Sequence, residues 1–595
     1  ADDSRLPQIP GCWTLQLYSP HAIDSESDYQ VATPASLVHD ATAGTLRRPT
    51  WNGWVVGQVL LALLLALPVL AIVASLFWPR PETWAHLADT VLADYIINSL
   101  LLTVGVGVGV LALALVPAWL TTMCRFPGSR VLEWALLLPL AMPAYIIAYT
   151  YTGLLDVAGP VQTALRAWTG WSYGDYWFPS IRSLGGAIVM LSLVLYPYVY
   201  LLARAAFIEQ SICVLEVART LGLGPVRRFL KVALPLARPA VVAGLSLALM
   251  ETLADYGTVQ YFGVAVFTTG IFRTWFGLGD GIAAAQLAAL LLIFVIALIW
   301  LERRSRKAAR YHHTSNRYSA IVSESLRGGR ALAAVTVCSL PVLLGFLLPA
   351  GVLLSWALET WAGTDRATFL QLVLHSLGLA GVTAVLAVML ALYFAYGRRL
   401  YDNRLTRLSV NCVSLGYAIP GTVIAVGALL PFAWFDNALD AWLRAQFGIS
   451  SGLLLSGTLF ALVFAYLVRF LAVSVNAVES GLARVKPSMD EAARSMGLSR
   501  LAVLRRVHLP MMRGTLLSAG LLVFVDILKE LPATLLLRPF NFNTLAVRAY
   551  ELANDERLAE AAVPALAIVA AGIIPVILMS RVISRSRPGQ HDSQT

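Results

Sequence analysis

Two stretches of this chain repeat each other. Residues 216–235 read EVARTLGLGPVRRFLKVALP, and residues 491–510 read EAARSMGLSRLAVLRRVHLP. Their glutamate, alanine, arginine, glycine and Leu-Pro residues recur 275 positions apart, and the same offset continues downstream to Asp280 and Asp555. Chance does not hold one register over such a length. The sequence therefore contains a tandem repeat.

The second copy carries signals for two short helices. Ser488, with a glutamate three positions later, has the form of a capping box, so a helix is expected to begin there. Gly497 can adopt the left-handed conformation that ends it. Ser499 can cap a second helix, which Pro510 is expected to help to end. The first copy replaces the second cap with Pro225, which suits the first position of a helix.

The composition indicates a membrane protein. Of the 595 residues, 58% are hydrophobic and 13% are charged, with a mean hydropathy of +0.71. Soluble domains are about half apolar and about a quarter charged. These values exclude a cytosolic enzyme, a disordered protein and a disulfide scaffold. The five cysteines are scattered, with no CxxC pair, and they predict neither a disulfide framework nor a zinc site.

Apolar runs long enough to cross a bilayer occur twelve times. A hydrocarbon core about 30 Å thick needs roughly 20 residues of helix. The chain is therefore predicted to be an all-α polytopic membrane protein with six spans in each repeat. The runs lie at about 54–78, 96–120, 131–152, 184–204, 239–263, 282–301, 333–357, 371–396, 409–434, 452–475, 514–537 and 562–582.

The basic residues predict the orientation. Of the 44 lysines and arginines, 32 fall in segments that alternation of the spans places inside, and nine fall in segments placed outside. This bias follows the positive-inside rule, so both termini are expected in the cytoplasm. The bias also accounts for the net charge of +10, and no nucleic acid is expected as a partner.

An even number of spans in each repeat makes the two repeats parallel, with their symmetry axis along the membrane normal. The predicted order is a flexible cytoplasmic tail, a first repeat, a basic linker, a second repeat and a cytoplasmic C-terminal tail. Each repeat contains one long inside loop. The ranges are 1–53 for the tail, 54–302 for the first repeat with its loop at 205–238, 303–332 for the linker, 333–583 for the second repeat with its loop at 476–513, and 584–595 for the C-terminal tail.

The duplicated motif resembles the coupling motif of binding-protein-dependent ABC importer permeases. A structured loop that binds lipid headgroups would explain the arginines, but it would not explain two copies with one spacing. In that family each motif docks on an ATPase subunit. The first copy has Val217 where the family usually has alanine, which is expected to loosen packing there. The resemblance assigns ATPase coupling to Glu216, Ala218, Gly222, Leu234, Pro235, Glu491, Ala492, Ala493, Gly497, Leu509 and Pro510.

The resemblance also implies the type I permease fold and the partners. The expected partners are two copies of a cytoplasmic ABC ATPase, an extracytoplasmic binding protein and the lipid bilayer of a bacterial inner membrane. A phosphate-binding loop needs a glycine-rich turn that ends in Lys-Ser or Lys-Thr, and none of the four lysines lies in one. The chain is therefore expected to be non-catalytic and to bind no cofactor, with ATP acting on the partner subunit.

Charged groups inside spans are costly and need a partner or a task. The fifth span contains two acids four positions apart, on one helix face, and the eleventh span repeats this pattern with an added lysine. Carboxylates from both repeats could meet a hard cation. Alternatively, they pair internally and lock helix contacts or a gate. The candidate path or gate residues are Glu251, Asp255, Tyr256, Asp526, Lys529 and Glu530.

Residues 255–275 and 529–542 resemble ferric-iron transport permeases of the fused, two-repeat type. The resemblance covers about 54–582 and implies import of Fe³⁺ delivered by a binding protein. Permeases of this layout also carry thiamine, sulfate, polyamines or phosphonates, and these substrates stay open. An alternative of another class is a secondary transporter driven by an ion gradient, but such a carrier has no ATPase for a coupling motif to dock. No metal site is assigned to the chain itself.

Small residues and prolines predict the shapes of particular spans. Gly105 and Gly109 are expected to let two helices approach closely. Pro139 and Pro143 should kink the third span, and Pro420 should kink the ninth. These expectations concern packing and carry no functional assignment.

Overall fold

The computed structural model describes residues 52–209, 217–307 and 324–585. Within these ranges the regular structure is helical apart from two strands of two residues each. Eleven of these helices are long and apolar enough to cross a membrane, and the number is twelve when one bent pair of helices is counted as a span. The predicted all-α polytopic fold is confirmed.

The first repeat begins with α1 and ends with α11. In chain order its elements are α1 (Gly53–Ser75), α2 (Pro81–Thr90), α3 (Leu92–Met123), β1 (Cys124–Arg125), α4 (Ser129–Ala135), α5 (Ala144–Leu155), α6 (Pro160–Thr169), α7 (Leu184–Glu209), α8 (Pro225–Ala254), α9 (Gly257–Tyr261), α10 (Phe267–Phe272) and α11 (Gly281–Lys307). A 3₁₀ turn at Leu138–Ala141 precedes α5, and a π-helical turn at Arg273–Gly277 follows α10.

The second repeat runs from β2 to α21. Its elements are β2 (Glu324–Ser325), α12 (Gly329–Gly363), α13 (Arg366–Leu400), α14 (Arg404–Ser414), α15 (Gly421–Phe447), α16 (Leu459–Ala483), α17 (Pro487–Ser495), α18 (Arg500–Leu528), α19 (Pro532–Leu537), α20 (Leu545–Asn554) and α21 (Leu558–Arg585). The strands β1 and β2 pair in parallel.

Each Leu-Pro pair of the duplicated motif follows a π-helical turn. These turns lie at Phe229–Ala233 in α8 and Leu504–His508 in α18, again 275 positions apart. Proline lacks an N–H and crowds the carbonyl four residues earlier. A wider turn relieves that conflict, and the N–H before the proline bonds to the carbonyl five residues back. The expectation that Pro510 helps to end a short helix is therefore wrong, because that helix continues into the eleventh span.

The third and ninth spans are broken at proline. The chain bends by 92° between the segment that ends at Ala141 and the helix that begins at Ala144. The residue before each proline is extended: Met142 has φ −95° and ψ 114°, and Ile419 has φ −87° and ψ 126°. Proline disfavours helical backbone at the preceding residue, which explains both breaks. The predicted break of the ninth span at Pro420 is confirmed, but the bounds 409–434 are wrong, since α15 begins only at Gly421 and ends at Phe447.

The first helix of each repeat packs against the other repeat. α1 lies against α14 and α15, while α12 lies against α3 and α5. Near the start of α1, the Gln58 side-chain amide donates to the carbonyls of Tyr393 (3.0 Å) and Phe394 (2.8 Å) on α13. Each first helix also contacts the last helix of its own repeat. The two repeats thus exchange their first helices and share one core.

Segments that the basic residues assign to one side contact one another. Arg228 pairs with Glu324 at 3.2 Å. On the side predicted to face outward, Arg182 of the first repeat pairs with Glu556 of the second at 2.8 Å. These contacts agree with the predicted alternation of sides, and the orientation of the termini stays a prediction.

Small residues bring α3 and α7 together, as predicted. A Cβ on Gly105 would lie 2.5 Å from Ile188 Cδ1, and a Cβ on Gly109 would clash with the Ser192 hydroxyl. Gly107, on another face of α3, has Leu249 as its nearest neighbour, at 3.5 Å.

We expect Gly109→Ala to lower the free energy of unfolding by about 1–3 kcal/mol, because the methyl group overpacks the contact with α7. Gly107→Ala is the matched control, since its methyl group meets ordinary van der Waals space and alanine favours the helix. The midpoint of thermal unfolding in detergent measures both. Equal midpoints for the two variants would contradict the close approach.

Candidate translocation cavity and coupling elements

We call residues 217–235 and 487–510 the first and second candidate coupling elements. The first helix of the second element ends at a left-handed glycine, as predicted. Gly497 has φ +82°. The Leu498 N–H donates to the Ala493 carbonyl at 3.2 Å, and the Gly497 N–H donates to the Arg494 carbonyl at 2.9 Å. This pair of bonds is the Schellman arrangement, which satisfies carbonyls at a helix end. Ala493 is 2% exposed, so it holds the turn against the protein.

The first coupling element has the same turn. Gly222 has φ +77°, and the Leu223 N–H donates to the Ala218 carbonyl at 3.1 Å. Val217 is 55% exposed, and its effect on packing stays a prediction. Glu216 lies outside the described residues.

The start of α17 differs from the predicted capping box. Pro487 occupies the first turn, and Lys486 at the cap position makes no side-chain hydrogen bond. Ser488 lies inside the helix, because proline is already set in the helical φ one residue earlier. The prediction for Ser499 is confirmed, since its hydroxyl accepts an amide N–H at 3.3 Å. Pro225 occupies the first turn of α8, also as predicted.

A network of charged side chains ties the second coupling element to two membrane helices. Asp490 on α17 accepts from Arg399 Nε on α13 and from His508 Nε2 in α18, both at 2.8 Å. The Arg399 guanidinium also donates to the carbonyls of Leu482 (2.6 Å) and Val485 (2.7 Å). Displacing α17 therefore displaces α13 and α18.

The first coupling element is anchored differently. The positions 275 residues before Asp490 and His508 hold Leu215 and Ala233, so the first repeat lacks the acid and the histidine of this network. Arg228 of α8 instead pairs with Glu324 of β2, and β2 pairs with β1. The two elements share a turn but not an anchor, and neither anchor was predicted.

The fifth span ends before its second acid. α8 ends at Ala254, and Asp255 has an extended ψ of 133°. The Asp255 carboxylate accepts from Thr258 Oγ1 at 3.0 Å and from the Val259 N–H at 3.1 Å, at the start of α9. The expectation that Glu251 and Asp255 share one helix face is therefore wrong, because Asp255 satisfies the free amides of the next helix.

The eleventh span ends in the same way. α18 ends at Leu528, and the Glu530 carboxylate accepts from the Ala533 N–H at 3.1 Å, at the start of α19. The predicted continuous span over 514–537 is therefore wrong. Both breaks place a carboxylate at the beginning of a short helix, where amide donors are free.

The two breaks line one cavity of about 100 Å³ between the repeats. All six predicted path residues line it, and their role in transport stays a prediction. Among the described residues, no three histidine, cysteine, aspartate or glutamate side chains are close enough to hold a metal ion. The charged residues around the cavity are Glu251, Asp255, Asp526, Glu530, Arg469 and Lys529.

Most of the cavity carboxylates have a basic partner. Arg469 on α16 pairs with Glu530 at 3.0 Å and with Glu251 at 3.6 Å. Lys529 pairs with Asp526 at 2.9 Å. For these three acids the structure agrees with the alternative of internal pairing. Asp255 differs, since its partners among the described residues are neutral donors.

Arg469 was not predicted as a site residue. The sequence could have identified it, because Arg469 is a charged residue inside the tenth span. The free-energy cost of a charge inside a span, which identified the acids, applies to this arginine as well. Gly421 makes room for its ion pair: a Cβ there would clash with Arg469 Nη1 and would lie 2.6 Å from Glu530 Oε1.

Known proteins resemble this chain over most of its length. The chain matches the family model described as binding-protein-dependent transport system inner membrane component twice, over 111–310 and 385–587. It is similar to the Fe(3+)-transport system permease protein FbpB 2 of Haemophilus influenzae, with 26% identity over 494 residues, 82% of this chain and 90% of that protein.

Two further relatives differ in how much they cover. The ferric transport system permease protein FbpB of Actinobacillus pleuropneumoniae is 23% identical over 547 residues, 85% of this chain and 75% of that protein. The molybdenum transport system permease protein ModB of Escherichia coli is 29% identical over 202 residues, 32% of this chain and 85% of that protein. The last match spans about the length of one of the two family matches.

We expect Gly421→Ala to force Arg469 and Glu530 apart and to lower the midpoint of thermal unfolding, because it leaves buried charges imperfectly paired. Gly351→Ala is the control, since a Cβ there meets no atom within 4 Å. Adding Arg469→Gln and Glu530→Gln to Gly421→Ala should recover part of the loss. A Gly421→Ala variant as stable as Gly351→Ala would contradict the geometry of this pair.

Proposed function

Because this chain belongs to the family of binding-protein-dependent transport system inner membrane components and is a permease of the ABC importer type, we propose that it carries ferric iron from an extracytoplasmic binding protein into the bacterial cytoplasm. Two copies of a separate ATPase supply the energy by docking on the two coupling elements. Both termini of the chain lie in the cytoplasm. The functional units are the two repeats at 54–302 and 333–583.

The observation that most supports ATPase coupling is the identical turn at Gly222 and Gly497. The two turns have φ +77° and +82° and the same hydrogen-bond pattern. In the second element, Glu491 and Ala492 are exposed while Ala493 is buried. The element therefore rests on the protein through one residue and presents its neighbours to a partner. Two such surfaces suit two ATPase subunits.

Continuous helices connect the coupling elements to the cavity. α8 has 30 residues and α18 has 29, so each is about 45 Å long. α18 begins directly after the second turn and ends at the residues that line the cavity. Movement of a coupling element is therefore transmitted along one helix to Asp526, Lys529 and Glu530. This connection is the proposed route by which ATP hydrolysis changes the cavity.

The acids of the cavity support a cationic substrate. Four carboxylates and two basic side chains line it, an excess of two negative charges. Carboxylate oxygens are the ligands that hard cations prefer. Two similar permeases are named for ferric iron. Sulfate and phosphonate fit this excess of negative charge poorly, whereas thiamine and the polyamines, which are cations, remain the alternatives.

We expect Gly497→Val, together with Gly222→Val, to lower retention of the ATPase on the tagged chain by tenfold or more. A β-branched residue is strained at positive φ, and a Cβ at either position meets no atom within 4 Å, so the backbone is the cause. Gly514→Val is the matched control, with equally open surroundings in ordinary helix. Full retention and full ATP-dependent uptake in the double variant would overturn the assignment of ATPase docking to these two turns.

We expect Asp255→Asn to lower the initial rate of ferric uptake into proteoliposomes by tenfold or more, and Asp255→Lys to abolish it. Asparagine can accept from the Val259 N–H through its amide oxygen and donate to the Thr258 hydroxyl through its amide nitrogen, so the variant removes mainly the charge. Asp402→Asn is the control at an exposed ion pair, where hydrogen bonding to Arg407 lowers the pKa of Asp402. Unchanged uptake in both Asp255 variants would contradict the cation path.

A further inference from the structure

We propose that Arg469 is a counter-ion fixed to the protein, and that its ion pairs with Glu251 and Glu530 join the two repeats across the cavity. We call this pair of contacts the latch. A hard multivalent cation that enters the cavity takes the place of its guanidinium on Glu251 and Glu530. The proposal rests on the proposed function only in naming ferric iron as the natural cation.

The latch joins the repeats because its two acids come from different halves of the chain. Glu530 precedes α19 of the second repeat, and Glu251 lies on α8 of the first repeat. The guanidinium is 6% exposed and contacts both carboxylates, at 3.0 and 3.6 Å. Glu530 is 5% exposed and Glu251 is 24% exposed, so the contact to the first repeat is the more accessible one.

The acids that line the cavity recur in both repeats, whereas the basic residues do not. Glu251 and Asp526 are 275 positions apart, as are Asp255 and Glu530, so both repeats contribute two acids. The bases come from the second repeat alone. Ala254 stands in the first repeat where Lys529 stands in the second, and valine stands at both registers that could match Arg469, positions 194 and 199. Within the described residues the basic partner of Glu251 therefore comes from the other repeat.

Two buried polar atoms at the cavity have no hydrogen-bond partner among the described residues. They are Nε of Arg469 and the hydroxyl of Tyr145, whose side chains are about 95% buried. Buried polar atoms are almost always paired. A cation bound by Glu530 and the Tyr145 oxygen would use this hydroxyl as a ligand, since hard cations bind oxygen.

A cation and the Arg469 guanidinium compete because both bind the carboxylates of Glu251 and Glu530. While Arg469 occupies Glu251 and Glu530, no three acids within the described ranges are close enough to hold a metal. A multivalent cation offers these acids a higher charge than the guanidinium does, and the excess negative charge of the cavity attracts it. Replacing the guanidinium frees Arg469 from the ion pair that joins Glu251 to the second repeat within the described residues, and the cation then bridges Glu251 and Glu530 in its place. Cation binding and release of Arg469 from the two acids are thus one event.

The test uses Tb³⁺, a hard trivalent ion whose luminescence nearby tyrosines sensitise, with the full chain in phosphatidylcholine vesicles. We expect Arg469→Gln to lower the dissociation constant for Tb³⁺ by tenfold or more, and Arg469→Lys to stay within about threefold of the wild type. Adding Glu251→Gln to Arg469→Gln should reverse the gain. Lys529→Gln is the matched control, because it removes the same charge from the same cavity but breaks a pair inside one repeat.

Equal gains in Arg469→Gln and Lys529→Gln would show a general effect of charge and would overturn the latch, as would an absence of Tb³⁺ binding in both the wild type and Arg469→Gln. If Arg469→Gln does not fold, Glu251→Gln decides alone, since it leaves the buried pair with Glu530 intact. The latch predicts tenfold weaker Tb³⁺ binding in that variant, and unchanged binding overturns it.

The outcome is independent of the proposed function, because no ATPase and no binding protein are present. A chain that binds Tb³⁺ as described but imports no ferric iron when its partners are added keeps the latch and overturns the proposed function. A chain that imports iron with unchanged Tb³⁺ affinity in every variant overturns the latch alone.

Discussion

Burial of charge between the repeats is the constraint on which the rest of the structure depends. An arginine in a membrane-spanning helix requires acidic partners, and Arg469 finds them on two different repeats. Room for this pair requires glycine at position 421. The helix breaks after Ala254 and Leu528 then bring Asp255 and Glu530 to the cavity while their carboxylates satisfy the amides of the next helices. One cavity therefore combines helix termination, ion pairing and access to oxygen ligands.

The two repeats agree in backbone and differ in side chains. Both have the same left-handed glycine turn and the same π-helical turn before Leu-Pro. The anchors of the coupling elements differ, with Asp490 at the centre of one and the Arg228–Glu324 pair in the other. A partner that binds two equal turns therefore acts on two unequal supports. Under the proposed function, a symmetric ATPase would in this way drive an asymmetric change in the cavity.

Local sequence signals predicted much of this architecture. The apolar runs, the repeat offset, the turns at Gly222 and Gly497 and the close approach at Gly109 follow from spacing and from the properties of glycine. The continuation of α18 through Pro510 was not predicted, because a π-helical turn compensates for proline without a signal of its own. The exchange of first helices depends on contacts between distant residues, which local patterns do not contain.

The cavity was predicted in its residues but not in its geometry. The acids were identified because a charged side chain inside an apolar span is energetically costly. The same rule was not applied to Arg469. The helix breaks at Asp255 and Glu530 were missed because the apolar runs continue past them. Capping of the following short helices explains the breaks. A charged residue within a long apolar run therefore marks a possible end of a helix as well as a possible site.

The most direct test of ATP-driven import is to identify the source of energy for transport. The chain, its ATPase and its binding protein can be reconstituted in vesicles, and uptake of ferric iron measured with ATP or with ADP, and separately under an imposed proton or sodium gradient. The account predicts accumulation that requires ATP and the binding protein and is indifferent to either gradient. Accumulation that follows a gradient and proceeds without ATP would contradict it and would identify a secondary transporter.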